Sequence, residues 1–219
     1  MSEPLDRHEH AKWQVFYADR TRGCPFFVHV PDENLSEWIA QGLIQPGRAL
    51  DVGCGNARNA IFLARHGFDV HAVDLSASAV AWAQAEVSNA HVSVHVECAS
   101  VFDLHLAAGR YDLVYDSGCF HHIAPHRRDA YVRLVAAALR PGGTLALVCF
   151  TPEGGSGLTD DAVYQRQSLG GGLGYDEARL REIWGRCFRI ETLRRMQEQP
   201  AGAALFGKDF LWAVLARRR

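Results

Sequence analysis

The chain has 219 residues, 48 % hydrophobic and 22 % charged, the proportions of an ordinary globular protein. Lys and Arg total 23 against 25 Asp and Glu, a formal charge of −2, so nothing in the charge balance argues for a nucleic-acid or anionic-membrane partner. No run approaches the roughly 20 apolar residues that span a bilayer, and the first thirty residues lack the apolar stretch of a signal peptide, so a cytoplasmic protein acting on a small molecule is expected.

Residues 1–17 predict an amphipathic helix carrying Trp13, Phe16 and Tyr17, followed by an irregular stretch with Gly23, Pro25 and Pro31. A second helix is expected over 32–44, with Asp32 as N-cap and Leu35, Trp38 and Ile39 inward. From Arg48 onward, short apolar runs at 49–52, 70–73 and 92–96 alternate with helical patterns at 56–66 and 76–87, which argues for parallel strands crossed over by helices. Polar residues take every second place in 91–96, as on an edge strand with one buried face, whereas 111–115 and 144–150 are nearly continuous apolar runs and read as central strands. A helix over 126–139 and a turn at Pro141-Gly142-Gly143 join those two. Residues 151–175 carry seven glycines in 25 positions and read as either a cover over a site or a surface insertion. A helix over 176–184 and strands over 187–196 and 210–216 complete the chain, and Arg217-Arg218-Arg219 reads as a solubilising tail.

Six cysteines (Cys24, Cys54, Cys98, Cys119, Cys149 and Cys187) stand singly, so reduced, buried thiols are expected. His91 with His95, and His121 and His122 with His126, have no cysteine or carboxylate at zinc-like spacing, and no metal site is expected.

The most informative stretch is Leu50-Asp51-Val52-Gly53-Cys54-Gly55-Asn56-Ala57-Arg58-Asn59. A strand runs into a tight turn whose Gly53 and Gly55 let backbone approach a ligand closely. A dinucleotide fingerprint would place a third glycine where Arg58 stands, and Asp51 just before the turn would repel a pyrophosphate; a cationic ligand is favoured. Nineteen residues after Gly55, Asp74 ends the next strand, where a carboxylate can accept from both hydroxyls of a ribose. An acid near an ammonium or sulfonium and another on a ribose describe S-adenosylmethionine better than NAD, FAD or ATP, and no P-loop is present.

Leu50 to Gly55 with Val73-Asp74-Leu75-Ser76 resembles the class I S-adenosylmethionine-dependent methyltransferases, and Asp112-Leu113-Val114-Tyr115-Asp116 and Leu139-Arg140-Pro141-Gly142-Gly143 look like that family's later motifs. Asn56-Ala57-Arg58-Asn59, with Trp13 and Tyr17 ahead of the core, further resembles the tellurite and thiopurine (thiol) methyltransferase branch. Ala57 stands where that branch often has glycine, which suggests a helix already underway. The resemblance implies an α/β, Rossmann-like, doubly wound sheet of seven strands, mostly parallel with the last antiparallel. One domain over 1–219 is expected: an N-terminal helical cover (1–46), a cofactor-binding core (48–150), the Gly-rich insertion (151–175), and a closing helix and strands (176–219).

It also implies methyl transfer from S-adenosylmethionine to a small-molecule acceptor, first a thiol, with a hydroxyl or carboxyl oxygen of a metabolite or natural product next; a non-catalytic binding module keeps the same motifs. The expected cofactor contacts are Asp51, Gly53, Cys54, Gly55, Asp74, Leu75, Ser100, Val101 and Asp116, with Trp13 and Tyr17 either closing over the cofactor or packing in the core. Ser100 stands where the family usually has an acid for the adenine amino group, and a serine can still accept that bond. Phe26, Phe27 and Phe120 are expected to line the substrate pocket. The segment 116–122 follows the fourth strand and so opens over the same end of the sheet; His121 or His122, whose ordinary pKa is about 6.5, is the candidate base.

Overall fold

The computed structural model describes residues 4–104 and 106–219. In chain order the elements are α1 (Pro4–Ala18), α2 (Glu33–Ala40), β1 (Arg48–Val52), α3 (Arg58–Arg65), β2 (Asp69–Asp74), α4 (Ala77–Asn89), β3 (His95–Cys98), β4 (Tyr111–Ser117), α5 (Arg128–Ala138), β5 (Leu139–Phe150), α6 (Asp160–Arg166), α7 (Glu177–Trp184), β6 (Phe188–Arg195) and β7 (Leu211–Arg218). Positions 1–3 of the first predicted helix lie outside the described residues.

Among the described residues seven strands form one sheet, in the order β3-β2-β1-β4-β5-β7-β6. Strands β3, β2, β1, β4 and β5 run parallel, and β7 is antiparallel to both β5 and β6. Alternate residues of the central strands supply two core layers: Leu50, Val52, Val114 and Leu147 face one, and Ala49, Leu113, Tyr115 and Val148 the other. Burial on both faces is the physical reason these strands read as unbroken apolar runs. The winding reverses between β1 and β4, and that switch point is where sheets of this kind leave a crevice beyond their carboxyl ends.

Local details depart from the sequence expectations. The edge strand β3 starts at His95 and not at position 92: Val92 and Val94 pack on the core but precede the ladder. The Pro141-Gly142-Gly143 segment lies within β5 as an irregularity, the register moving from Tyr111↔Leu139 to Leu113↔Thr144. Proline cannot donate to the ladder and Gly142 has φ +72°, so the extra residues loop out of it. Ala57 is not within a helix. It precedes α3 in a left-handed conformation, φ +62°, fully buried. Asp32 does precede α2, yet its side chain makes no capping bond and turns into the core.

Candidate active site

The turn after β1 is tied to β2, since the Gly53 and Cys54 N–H groups donate to the Val73 carbonyl at 2.8 and 3.0 Å. Gly53 and Gly55 have φ of +68° and +55°, and a Cβ on either would come within 2.9 Å of Cys119 Cβ or Tyr17 Oη respectively. At the tip of β2 the Asp74 carboxylate accepts from Gly55 N–H at 3.0 Å and Ser76 N–H at 2.9 Å. Each oxygen keeps a further lone pair for a ligand. Helix α1 crosses this end of the sheet, pinned by Gln14, whose Nε2 donates to the Leu75 carbonyl and whose Oε1 accepts from Ser76 Oγ, both at 3.3 Å.

A cavity of about 810 Å³ opens beyond the ends of β1, β2 and β4, lined by Asp74, Leu75, Ser100 and Val101 and also by Trp13, Phe26, His122 and Phe150. Pockets of roughly 300–1,000 Å³ hold small-molecule ligands, so there is room for more than one reactant. A small recess of about 40 Å³ reaches Asp51, Cys54, Asn56 and Asn59. Both spaces share Tyr17, Phe26, Gly53, Arg58 and Ser117. Asp51 is buried and its Oδ2 has no hydrogen-bond partner among the described residues. Burial pushes its pKa up to about 8, against the opposing pull of Arg58; burial likewise lifts Asp74 to about 6.

Residues 49–143 match the family model described as a methyltransferase domain. This segment is a methyltransferase domain. The chain is 36 % identical over 107 residues to a ribosomal RNA small subunit methyltransferase C of Alcanivorax borkumensis, covering 48 % of this chain and 32 % of that protein. Among solved structures it resembles one associated with conversion of a disulfide bond into a thioacetal group during echinomycin biosynthesis (TM-score 0.76, 24 % identity, 96 % and 92 % of the two chains). It also resembles Burkholderia thailandensis 1,6-didemethyltoxoflavin-N1-methyltransferase with bound 1,6-didemethyltoxoflavin and S-adenosylhomocysteine (TM-score 0.73, 22 % identity, 100 % and 91 %). The chain spans about a third of the first of these and 70 % of another curated relative.

The residues present fit S-adenosylmethionine, the cofactor that the glycine turn and the acid at the tip of β2 imply. The glycine turn is a cradle that a Cβ would fill, Asp74 has acceptors free for a ribose, and the orphaned Asp51 oxygen awaits a donor or cation. Leu75, Ser100 and Val101 line the same cavity, although the Ser100 hydroxyl already accepts from Phe102 N–H at 3.3 Å. Trp13 and Tyr17 line it too, the Trp13 ring standing edge-on to His122 at 4.6 Å.

Two expected site residues lie elsewhere in the methyltransferase domain. Asp116 lines neither space: it accepts from the N–H groups of Cys119 (2.7 Å) and Phe120 (3.0 Å) and from Tyr131 Oη (2.5 Å), and so shapes the loop after β4. Phe120 is fully buried between Tyr175 and Trp184, at 4.9 and 5.0 Å, because its one-turn helix directs it into the core. Phe27 lines the small recess only. Of the thiols, Cys98 is exposed, contrary to expectation, and Cys54 and Cys149 are buried. Cys119 lines the cavity, and burial pushes its thiol well up, away from the thiolate form.

The sequence reading missed Arg58, which lines both spaces and pairs with Asp32 at 2.5 Å. Its only signal was membership of Asn56-Ala57-Arg58-Asn59. Phe150 and Phe210, cavity walls from β5 and the segment before β7, were hidden inside predicted strands.

The raised Asp51 pKa makes folding stability depend on pH. The unfolded chain loses this proton near 3.8 while the fold keeps it to about 8, so folding stability falls as pH rises across that interval. Below about 6.5 the buried histidines oppose the trend, since burial lowers the pKa of both His121 and His122 and the unfolded chain then binds more protons. Melting of the ligand-free protein is therefore expected to fall in temperature from about pH 6.5 to pH 8, and Asp51→Asn to flatten that interval; an equally steep decline in the variant would refute the assignment.

Proposed function

We propose that the protein methylates a small nucleophile, first a thiol, using S-adenosylmethionine. The observation that carries this is the cavity in which Asp74 and Leu75, the residues expected to hold the cofactor, share walls with Trp13, His121, His122 and Phe150. When bound, the cofactor supplies an electrophilic methyl group on a sulfonium. The chain's own task is to hold the acceptor in line and exclude water, and such alignment is worth roughly 7–11 kcal/mol.

The two histidines argue for an acceptor that brings its own lone pair. His121 Nδ1 accepts from Phe150 N–H at 3.2 Å and its ring stacks on Phe150 at 3.8 Å, which puts the proton on Nε2. Burial lowers its pKa to about 3, and that of His122 well below the ordinary value, so both stay neutral and are poor proton acceptors. A thiol ionises near pH 8.5, far more readily than an alcohol, and so needs a base less than a hydroxyl acceptor does. The sulfur chemistry of the echinomycin-pathway neighbour supports the same choice.

Thiols, phenols, amines and carboxylic acids are to be screened with S-adenosylhomocysteine release as readout. Turnover is expected with thiols, with kcat/KM rising as the thiol ionises and the same pH profile in His121→Ala and His122→Ala. Preference for a phenol or carboxylate, with a pH limb abolished by either substitution, would favour O-methylation assisted by that histidine. Cofactor binding without turnover of any acceptor would favour a binding module.

A further inference from the structure

The parallel pairing of β2 and β3 puts His71 directly opposite His95, and Glu97, two residues on, shares the face of His95. The His71 and His95 rings are 4.8 Å apart. One ligand atom from each of His71, His95 and Glu97 can be chosen so that all lie within 4.8 Å of one another. None of the three lines the cofactor cavity.

We propose that His71, His95 and Glu97 form a binding site for a divalent transition-metal ion, with zinc the best match. Two imidazoles and one carboxylate are a donor set that Zn²⁺ accepts at about 2.0–2.2 Å, with a fourth position for water. Tetrahedral donors at those lengths sit about 3.3 Å apart, so the more distant donors must close by up to about 1.5 Å while His71 Nε2 and Glu97 Oε2, now 2.8 Å apart, open slightly. His95 is exposed and the Glu97 side chain is 41 % exposed, and both are free to make that movement.

His71 is the fixed member. Its side chain is 17 % exposed, its Nε2 lies 2.8 Å from Glu97 Oε2, and its Nδ1 lies 2.8 Å from the hydroxyl of the buried Tyr111. Without metal, Nε2–H donates to Glu97 and Nδ1 accepts from Tyr111. With metal, the imidazole shifts its proton to Nδ1, which donates to the Tyr111 oxygen, and the Nε2 lone pair binds the ion. Such a hydrogen bond on the far nitrogen is the usual means of fixing a ligating histidine. Burial, with His95 and Arg110 nearby, lowers the His71 pKa against the opposing pull of Glu97, and a ligating histidine must be neutral. The charge of Arg110 opposes a cation, so the Glu97 carboxylate is essential. The consequence is a staple across the β2–β3 edge, where β3 has four residues and is held on one side only.

The test is calorimetric titration of the full chain with zinc chloride, with Co²⁺ as spectroscopic probe. One ion per chain is expected, raising the melting temperature, and the Co²⁺ form should show visible d–d bands without a thiolate charge-transfer band. His95→Ala and Glu97→Gln, at exposed positions that leave the fold intact by circular dichroism, should each weaken zinc binding at least tenfold; Tyr111→Phe, which keeps the ring but removes the orienting hydroxyl, should do so about tenfold. No binding, equal affinity in wild type and both exposed-site variants, or a thiolate band pointing to Cys98 overturns the proposal.

Discussion

Asp74→Ala is expected to weaken S-adenosylmethionine binding by at least a hundredfold, measured by calorimetry with S-adenosylmethionine and S-adenosylhomocysteine. Hydrogen bonds to a charged group contribute about 1.5–3 kcal/mol each, and a carboxylate at the tip of β2 can accept two from a ribose, so the loss of both amounts to about 3 kcal/mol or more. The same carboxylate also holds the Gly55 and Ser76 N–H groups, so alanine loosens the glycine turn as well. Asp74→Asn separates the two effects: its side-chain oxygen can keep one acceptor for the turn, and a loss of about tenfold is expected. Unchanged affinity in the alanine variant would remove Asp74 from the cofactor site.

Asp32→Ala should have the largest effect on stability. Its fully buried carboxylate pairs with Arg58 at 2.5 Å and accepts from Asn59 Nδ2 at 3.0 Å and from Tyr115 Oη and Ser117 Oγ at 2.6 Å each. Removing one partner of a buried ion pair strands the other charge and costs about 3–5 kcal/mol, which for a chain of this size lowers the melting temperature by about 6–20 °C. Arg58 lines both spaces of the site, so cofactor affinity should fall with stability. Adding Arg58→Met to Asp32→Ala removes the stranded charge and should recover part of the lost stability. If the double variant is no more stable than Asp32→Ala alone, the pair is not what makes Asp32 costly to remove.

Asp32 also shows where sequence reasoning stops. An aspartate ahead of an amphipathic stretch is a sound cap signal, and α2 does begin at the next residue. Its actual partners lie 26 to 85 positions away, on α3 and β4, and no local pattern reveals them. The same holds for His71 with His95 and Glu97: ligand spacing along the chain is blind to residues on neighbouring strands. Asp116 and Phe120 err in the opposite direction. Asp116 lies at the end of the right strand and Phe120 just after it, but the loop turns inward, so the carboxylate caps backbone N–H groups and the ring fills the core.

The sequence by itself determined the fold class, the alternation of strands and helices in the first half, the glycine turn and the acid at the tip of β2. Those features depend on periodicity, on backbone angles that favour glycine, and on spacing within one β-α-β unit, all properties of contiguous residues. The tertiary structure alone decided which acids face the cavity and which serve the loop, how far burial suppresses the two histidines, and that Arg58 is held by Asp32. Desolvation and pairing depend on what lies across a contact rather than along the chain, and only the packed sheet brings those groups together.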